Sequence, residues 1–324
     1  MKALLCETLG PPETLVLRDL PDPVPGPGEV AVETAAAALN FFDSLIIEGK
    51  YQYKPDLPFS PGAEFSGIVR AAGEGVSDFK PGDRVMGNLG WGTCREIVVA
   101  PANKLVHVPD GADLEQAAGL IVTYGTTLHA LKDRARLKPG ETLAVLGAAG
   151  GVGAAAIEIG KIMGARVIAV ASSAEKLDFC RSIGADETID YSKEDLKVRL
   201  KELTGGKGAD VVYDPVGGEY AEAALRSTAW EGRFLVIGFA AGEIPKIPLN
   251  LVLLKGCDIV GVFWGRFAEL DPEGDRANIR QLLDWMAEGK LSVAIHGRYP
   301  LEKTADALGA ITRREVKGKV LIVP

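Results

Sequence analysis

Histidine and cysteine are scarce in this sequence, and neither is spaced as a metal cluster requires. The 324 residues include three histidines and four cysteines, and no CxxC or HxxxH pair is present. A zinc site would have to be assembled from scattered ligands, and the cysteines are expected to be free, mostly buried thiols. A G-x-S-x-G elbow is also missing. These absences argue against a cysteine zinc cluster, a disulfide framework and Ser-His-Asp hydrolysis.

Long apolar runs and blocks of basic charge are missing as well. No run reaches the ~18 apolar residues of a membrane span, and the apolar run between Met1 and Glu7 is too short for a secretory signal. The net charge is −8, without a Lys/Arg-dominated block, which argues against binding to a phosphate backbone. We therefore expect a cytoplasmic protein with no membrane or nucleic-acid partner.

The sequence has ample material for folded cores. Hydrophobic residues make up 47% and charged residues 25%, which is ordinary for a soluble globular protein. At roughly 150 residues per domain, this length suggests two domains.

The order of predicted elements suggests that one domain is inserted in the other. Residues 1–120 read as short strands broken by Pro/Gly turns, typical of a small, partly closed β-barrel. Over 121–263 strands and helices alternate, which predicts right-handed βαβ units and an α/β, doubly wound parallel sheet. A lone helix–strand tail cannot bury itself, so residues 264–324 are predicted to return to the first domain.

A glycine turn opens the βαβ series. The apolar strand 142–146 is followed by Gly147-Ala148-Ala149-Gly150-Gly151-Val152-Gly153 and a small-residue helix. Ala148 takes the first position of G-x-G-x-x-G, which is tolerable if its φ is negative. A tight turn without a ligand is the alternative, but the position between strand and helix favours a dinucleotide pyrophosphate. The backbone of Gly150, Gly151, Val152 and Gly153 is the predicted cradle.

The end of the second strand of this series indicates NADPH rather than NADH. An NAD site has an acidic residue there for the ribose 2′-hydroxyl, whereas this chain has Ser172 and, one turn on, Lys176. Ser172 can donate to a 2′-phosphate, and Lys176 can neutralise the phosphate charge. The negative charge of Glu175 argues against a phosphate at this place. The alternatives are helix capping for Ser172 and a solvated surface for Lys176.

Residues after the later strands are candidates for the rest of the cofactor, because these loops line the ligand crevice of such sheets. Tyr191 follows the third strand, where an adenine would lie and the ring could stack or bind phosphate; a half-buried structural tyrosine is the alternative. The candidates for the nicotinamide side, each with a simple turn as its alternative, are Gly238, Phe239, Phe263, Trp264 and Gly265.

Several motifs together carry a family likeness. They are Asn40-Phe41-Phe42-Asp43, Pro61-Gly62-Ala63-Glu64-Phe65-Ser66-Gly67, Pro81-Gly82-Asp83-Arg84-Val85, the glycine turn and Gly318-Lys319-Val320-Leu321. The chain resembles the zinc-free NADPH:quinone oxidoreductase (zeta-crystallin-like) branch of the medium-chain dehydrogenase/reductase superfamily. The resemblance implies a GroES-like domain with an inserted Rossmann domain. Asn40 stands where the zinc enzymes carry their first zinc cysteine, and Ala63 where they carry the Gly-His-Glu histidine.

The resemblance also implies roles for individual residues. Asn40, Asp43 and Tyr51 would face the substrate cleft, and Thr127 would lie by the nicotinamide. The residues implied at the adenosine phosphate end are Ser172, Lys176, Tyr191 and Lys319. Our hypothesis is that Asn40 and Tyr51, with Tyr53 as a substitute, hydrogen-bond the reduced substrate; cleft-wall structure is the alternative for each.

Substrate class follows from the missing metal ligands. Without a metal to polarise a carbonyl, substrates must already be electrophilic, as quinones and activated enones are. An NADPH-dependent enone or enoyl-thioester reductase is the alternative enzyme, and an NADPH-binding structural or regulatory protein is the alternative of another class. A homodimer is the family expectation. The apolar segment 249–254 suits a dimer seam, and a buried core segment explains it equally well.

Overall fold

The computed structural model describes all residues, 1–324, and divides them into two compact units. The first unit contains Met1–Val122 and Gln281–Pro324, and the second contains Thr123–Arg280. Residues 264–280, predicted to belong with the C-terminal tail, therefore lie in the second unit. A hydrogen bond joins them to the rest of that unit, because Asn278 Nδ2 donates to Asp133 Oδ2 (2.9 Å). A second bond, from Trp264 Nε1 to Asp275 Oδ1 (2.8 Å), lies within the segment.

The structure contains strands and helices with the following bounds. The strands are β1 (Lys2–Leu5), β2 (Val16–Asp19), β3 (Glu29–Leu39), β4 (Glu64–Ala72), β5 (Arg84–Asn88), β6 (Ile97–Pro101), β7 (Leu105–His107), β8 (Thr142–Leu146), β9 (Arg166–Ala171), β10 (Glu187–Asp190), β11 (Ala209–Asp214), β12 (Thr228–Val236), β13 (Asp258–Gly261), β14 (Ile295–Pro300) and β15 (Lys319–Val323). The α-helices are α1 (Phe41–Ile47), α2 (Leu114–Ala118), α3 (Thr126–Leu128), α4 (Gly151–Ile162), α5 (Ala174–Ser182), α6 (Leu196–Leu203), α7 (Tyr220–Arg226), α8 (Leu249–Lys255), α9 (Trp264–Leu270), α10 (Pro272–Ala287) and α11 (Thr304–Thr312).

The first unit is built on a seven-stranded sheet. Its strand order is β14-β15-β3-β4-β5-β7, with β6 also paired to β3. The C-terminal strand β15 pairs antiparallel with β3, with Val320 opposite Leu39. This pairing brings the C-terminus against the strand that leads into α1.

Close approach of β3 and β4 depends on one glycine. Gly67 in β4 lies opposite Thr34, beside an irregularity in the pairing. A Cβ atom at Gly67 would lie 2.1 Å from the carbonyl oxygen of Glu33. Only glycine fits there, and the long β3 therefore stays paired to β4 on both sides of the irregularity.

The second unit is a six-stranded sheet with the order β10-β9-β8-β11-β12-β13. All five pairs of neighbours are parallel, which confirms the predicted doubly wound sheet. The first strand, β8, lies at the point where the strand order reverses, and ligands of such sheets bind beyond the carboxyl ends of the strands at this point. None of the helices has both the length and the apolarity that crossing a bilayer would require.

Candidate functional site

The glycine turn after β8 has the backbone that its sequence predicts. Gly147 has a φ of +57°, which glycine adopts without strain. Ala148 is not among the residues with positive φ, and its amide donates to Val170 O (3.1 Å). A Cβ atom at Gly153 would lie 2.4 Å from Gly147 O. The start of α4 therefore packs directly on the turn, and Gly153 has a packing role.

The start of α4 fits a pyrophosphate group. Gly150 is the N-cap residue in an extended conformation, and no side chain caps the helix. The amides of the first turn, at Gly151, Val152 and Gly153, therefore lack the partner that a capping side chain would supply. Uncapped amides and the positive end of a helix dipole favour an anion.

Ser172 and Ser173, which follow β9, have different roles in the structure. Ser173, not Ser172, is the N-cap of α5, because its Oγ accepts from the Lys176 amide (3.3 Å). The capping alternative for Ser172 is therefore wrong. Ser172 and Lys176 are both half-buried, whereas Glu175 is exposed. A serine and a lysine thus remain as candidates at the end of this strand.

Tyr191 has a structural partner at the same edge. Its ring centroid lies 4.5 Å from that of Tyr220, at an interplanar angle of 45°, and it packs against the core of the second unit. A contact with adenine stays a prediction, because the packing explains the half-buried ring by itself.

Loops after β11 and β12 are closed by the buried Asp214. Its Oδ1 accepts from the amides of Val216 (2.8 Å) and Gly217 (2.9 Å), and its carbonyl accepts from Gly238 N (3.4 Å). Burial raises the pKa of Asp214. The Gly238 amide is therefore already paired, and its predicted cofactor contact would need another atom.

The aromatic candidates of this edge differ in exposure. Phe239 and Phe263 are exposed, whereas Trp264 is half-buried and its indole bonds Asp275 within its own unit. Gly265 lies beside Trp264 in α9. Phe239 and Phe263 are thus the accessible side chains, and the nicotinamide role of all of these residues stays a prediction.

The Thr127 hydroxyl is engaged inside the second unit. The side chain is fully buried, and its Oγ1 donates to Thr123 O (2.7 Å) and lies 2.8 Å from the Tyr213 hydroxyl. One hydroxyl proton serves one donated bond. Thr127 therefore joins its own helical segment to β11, and its expected place by the nicotinamide stays a prediction.

In the first unit, α1 begins with a buried polar pair. Asn40 is the N-cap residue, and its backbone N–H donates to Asp43 Oδ2 (2.6 Å). Asp43 Oδ1 is buried without a hydrogen-bond partner. Burial raises the pKa of the Asp43 carboxyl from 3.8 to about 7, although the hydrogen bond from the Asn40 backbone N–H and the charge of Lys319 each lower it. Asp43 is thus a carboxyl group that changes charge near neutral pH.

Lys319 is part of this polar cluster. It is 2% exposed, and its Nζ donates to Leu39 O (3.1 Å), Asn40 Oδ1 (2.6 Å) and Glu64 Oε1 (2.8 Å). Gly119 leaves space for the lysine stem, because a Cβ atom there would lie 3.1 Å from Lys319 Cε. With all three ammonium protons engaged, Lys319 cannot serve the adenosine phosphate, and that predicted role is wrong.

Glu64 completes the buried cluster, and it was not among the candidate residues predicted from the sequence. It is fully buried; its Oε1 accepts from Asn40 Nδ2 (3.0 Å) as well as Lys319, and its Oε2 accepts from the Val122 amide (2.8 Å). Part of a signal was present, since Lys319 is the single charge of the apolar strand β15, and Glu64 begins a strand whose other charged residue, Arg70, is exposed. Such charges are buried only when they are paired.

Two tyrosines lie near this cluster. Tyr51 stacks on Phe42 with ring centroids 5.4 Å apart, and its ring lies 5.7 Å from that of Tyr53. Burial, together with Tyr53 and Asp43, raises the pKa of Tyr51, so its phenol stays protonated at neutral pH. The structure therefore brings together all four predicted catalytic residues, Asn40, Asp43, Tyr51 and Tyr53, in the first unit.

Metal ligands are not assembled in either unit. No group of three His, Cys, Asp or Glu side chains has an arrangement that could hold a metal ion. Asn40 is tied to Glu64 and Lys319, and Ala63, the residue before Glu64, is a buried apolar side chain.

The second unit has a dinucleotide-type sheet with its glycine turn, and the first unit has a buried polar cluster. Together in one chain, these units have the architecture of a two-domain dehydrogenase/reductase. Comparison with family models gives the same result. Residues 26–110 match the alcohol dehydrogenase GroES-like domain, and residues 151–288 match the zinc-binding dehydrogenase domain. The GroES-like and Rossmann-type domains predicted from the sequence are thereby confirmed.

Relatives specify the branch. The chain is 40% identical to a quinone oxidoreductase-like protein 2 homolog of Nematostella vectensis, over 99% of this chain and 88% of the relative. It is 38% identical to a quinone oxidoreductase of Pseudomonas aeruginosa, over 97% of both chains. A solved structure of Escherichia coli quinone oxidoreductase complexed with NADPH has a TM-score of 0.91 and 30% identity, covering 100% of each chain. The chain belongs to the quinone oxidoreductase family of medium-chain dehydrogenases/reductases and is an oxidoreductase.

Proposed function

We propose that this oxidoreductase uses NADPH to reduce quinones or similarly activated carbonyl compounds without a metal ion. The observation that carries the proposal is the Asn40–Glu64–Lys319 cluster. By its resemblance to the superfamily, Asn40 stands where the zinc members carry their first zinc cysteine. Here the Asn40 amide is bonded to a neutralised ion pair, and these groups offer hydrogen bonds instead of metal coordination.

The second unit supplies the residues that would hold the cofactor. The uncapped amides of Gly151, Val152 and Gly153 suit its pyrophosphate, and Ser172 and Lys176 suit a 2′-phosphate. The NADPH complex of the Escherichia coli relative supports the choice of cofactor. When bound, NADPH supplies a hydride ion.

The first unit supplies the groups that would act on the substrate. When a carbonyl compound accepts hydride at carbon, its oxygen gains negative charge, and a positioned hydrogen-bond donor stabilises that charge. Asn40 Nδ2 and the hydroxyls of Tyr51 and Tyr53 are such donors. Because these donors are neutral, the acceptor must be electrophilic by itself, as a quinone is.

We also propose a homodimer formed through the edge of the parallel sheet at β13. Leu249, Leu253 and Leu254 of α8 are 77%, 79% and 70% exposed, whereas Leu251 is buried. The segment 249–254 is therefore not simply a core segment, and its exposed leucines support a dimer seam. An exposed apolar patch beside an unpaired strand edge is typical of an interaction surface. Cytoplasmic location stays a prediction.

The experiment is an acceptor panel followed by the absorbance of NADPH. We expect turnover with quinones, with weaker activity when NADH replaces NADPH. Turnover confined to enones or enoyl-thioesters would replace quinones by the alternative substrate class. Absence of turnover with every acceptor, in protein that binds NADPH, would contradict the proposal.

A further inference from the structure

The side-chain amide of Asn40 has a defined orientation. An amide oxygen and nitrogen have nearly the same shape, so their positions follow from their hydrogen-bond partners. One partner, the Lys319 ammonium, can only donate, and the other, the Glu64 carboxylate, can only accept. The atom 2.6 Å from Lys319 Nζ is therefore Oδ1, and the atom 3.0 Å from Glu64 Oε1 is Nδ2.

The two charged residues are themselves held in place. Lys319 uses its three protons on Leu39 O, Asn40 Oδ1 and Glu64 Oε1, and Glu64 Oε2 accepts from the Val122 amide. The lysine side chain is 2% exposed and the glutamate 0%. Charges this deeply buried must stay paired, so neither side chain can turn away and release Asn40.

One N–H proton of this cluster is left over. Of the two Nδ2 protons of Asn40, one binds Glu64, and no bond uses the other. Asn40 is the most accessible of the three residues, at 7% exposed. The cluster therefore presents an amide proton, and not an amide oxygen, to a group that approaches Asn40.

We infer that Lys319 and Glu64 are positioning residues that hold Asn40 as a hydrogen-bond donor to the substrate oxygen that gains negative charge. This inference rests on the proposed function. A flipped amide would present Oδ1 to that oxygen, and two acceptors repel each other. The pair thus selects acceptors whose reduction leaves charge on oxygen, and the reaction still takes its proton from solvent or a nearby hydroxyl.

The test is a kinetic cycle built on the variant Lys319→Met with Glu64→Gln. This double change removes both charges together and keeps an oxygen for the Val122 amide, so no buried charge is left unpaired. Losing one oxyanion donor costs about 10² in kcat. We expect a loss of this order in kcat for a quinone, with the KM for NADPH unchanged, and no further loss when Asn40→Ala is already present.

The control is a partly buried ion pair of the second unit. Arg233 and Glu141 are bonded at 2.7 Å, with side chains 15% and 18% exposed. Arg233→Met with Glu141→Leu should leave kcat unchanged, with thermal unfolding measured for every variant. Independent, multiplying losses from the Lys319/Glu64 and Asn40 changes would overturn the positioning role.

A second measurement reads the orientation without turnover. In protein with 15N-labelled asparagine side chains, the Asn40 signals are identified by their loss in Asn40→Ala. We expect one Asn40 amide proton to exchange slowly with deuterium and the other quickly, and both to exchange quickly in the Lys319→Met, Glu64→Gln variant. The same exchange in both proteins would overturn the inference. Wild-type protein that reduces no acceptor would refute the proposed function, and the exchange experiment would still decide the orientation.

Discussion

Replacing Asp43 with asparagine should remove a large pH dependence from the stability of this protein. Burial raises the pKa of Asp43 from 3.8 to about 7, so the folded protein holds this proton more tightly than the unfolded chain does. Below about pH 4 both states are protonated and the group costs nothing. As the pH rises from 4 to 7, the unfolded chain loses the proton first, and stability falls until the folded carboxyl has also ionised.

The size of the effect follows from the shift. A difference of about three pKa units corresponds to roughly 4 kcal/mol at 1.36 kcal/mol per unit. The charged and titratable groups that act on Asp43 are Lys319, which lowers its pKa, and Glu64, which raises it; Cys94 and Tyr51 also interact with it. Asparagine at position 43 keeps an oxygen that can accept from the Asn40 backbone N–H. Asp43→Asn therefore removes the titration without removing this hydrogen bond.

The assay is urea unfolding of wild type and Asp43→Asn at intervals from pH 4 to 8. The quantity compared is the difference in unfolding free energy between the two proteins, because the other carboxyl groups then cancel. Between pH 4 and pH 8, the unfolding free energy of the variant should rise by about 4 kcal/mol relative to that of wild type. Asp56→Asn, at an exposed position of the same unit, should show no such change. Parallel curves for wild type and Asp43→Asn would refute the reasoning.

Three further predictions concern the cofactor and the assembly. Lys176→Ala should raise the KM for NADPH and leave that for NADH nearly unchanged in steady-state assays; equal effects on both would remove the lysine from the phosphate site. Leu254→Glu should convert a dimer to monomers in sedimentation experiments, because it puts a charge into an apolar seam. Val198→Glu, at another exposed position, should leave the dimer intact. A dimer that is unchanged by Leu254→Glu would place the interface elsewhere. Gly153→Ala should lower the melting temperature and weaken NADPH binding in a fluorescence titration, since the Cβ atom of the new alanine would lie 2.4 Å from Gly147 O. Unaltered binding would contradict the packing of α4 on the turn.

Features that depend on neighbouring residues were predictable from the sequence. The glycine turn is one, because the conformation of Gly147 and the contact at Gly153 are local. The parallel sheet is another, since alternating strands and helices permit few other arrangements.

Features that depend on distant partners were not predictable. Lys319 lies 255 residues from Glu64 and 279 from Asn40, and no local pattern reveals that pairing. The resemblance implied a phosphate contact for Lys319, whereas the folded chain pairs this lysine with Glu64. Thr127 is similar, because its hydroxyl partner Tyr213 lies on a strand 86 residues away.

The exposed side of α8 shows a third kind of limit. The apolar segment 249–254 has the composition of a core, and composition does not distinguish a side chain that faces the core from one that faces a second molecule. Only the folded chain separates buried Leu251 from exposed Leu253 and Leu254.

Metal-free reduction of a quinone is the central claim, and it is tested most directly by assaying one preparation before and after treatment with a strong chelator. Zinc content is measured alongside the rate of NADPH oxidation with 1,4-benzoquinone. The Asn40–Glu64–Lys319 cluster predicts an unchanged rate in zinc-free protein. A rate that falls with zinc removal and returns when zinc is added would contradict the account.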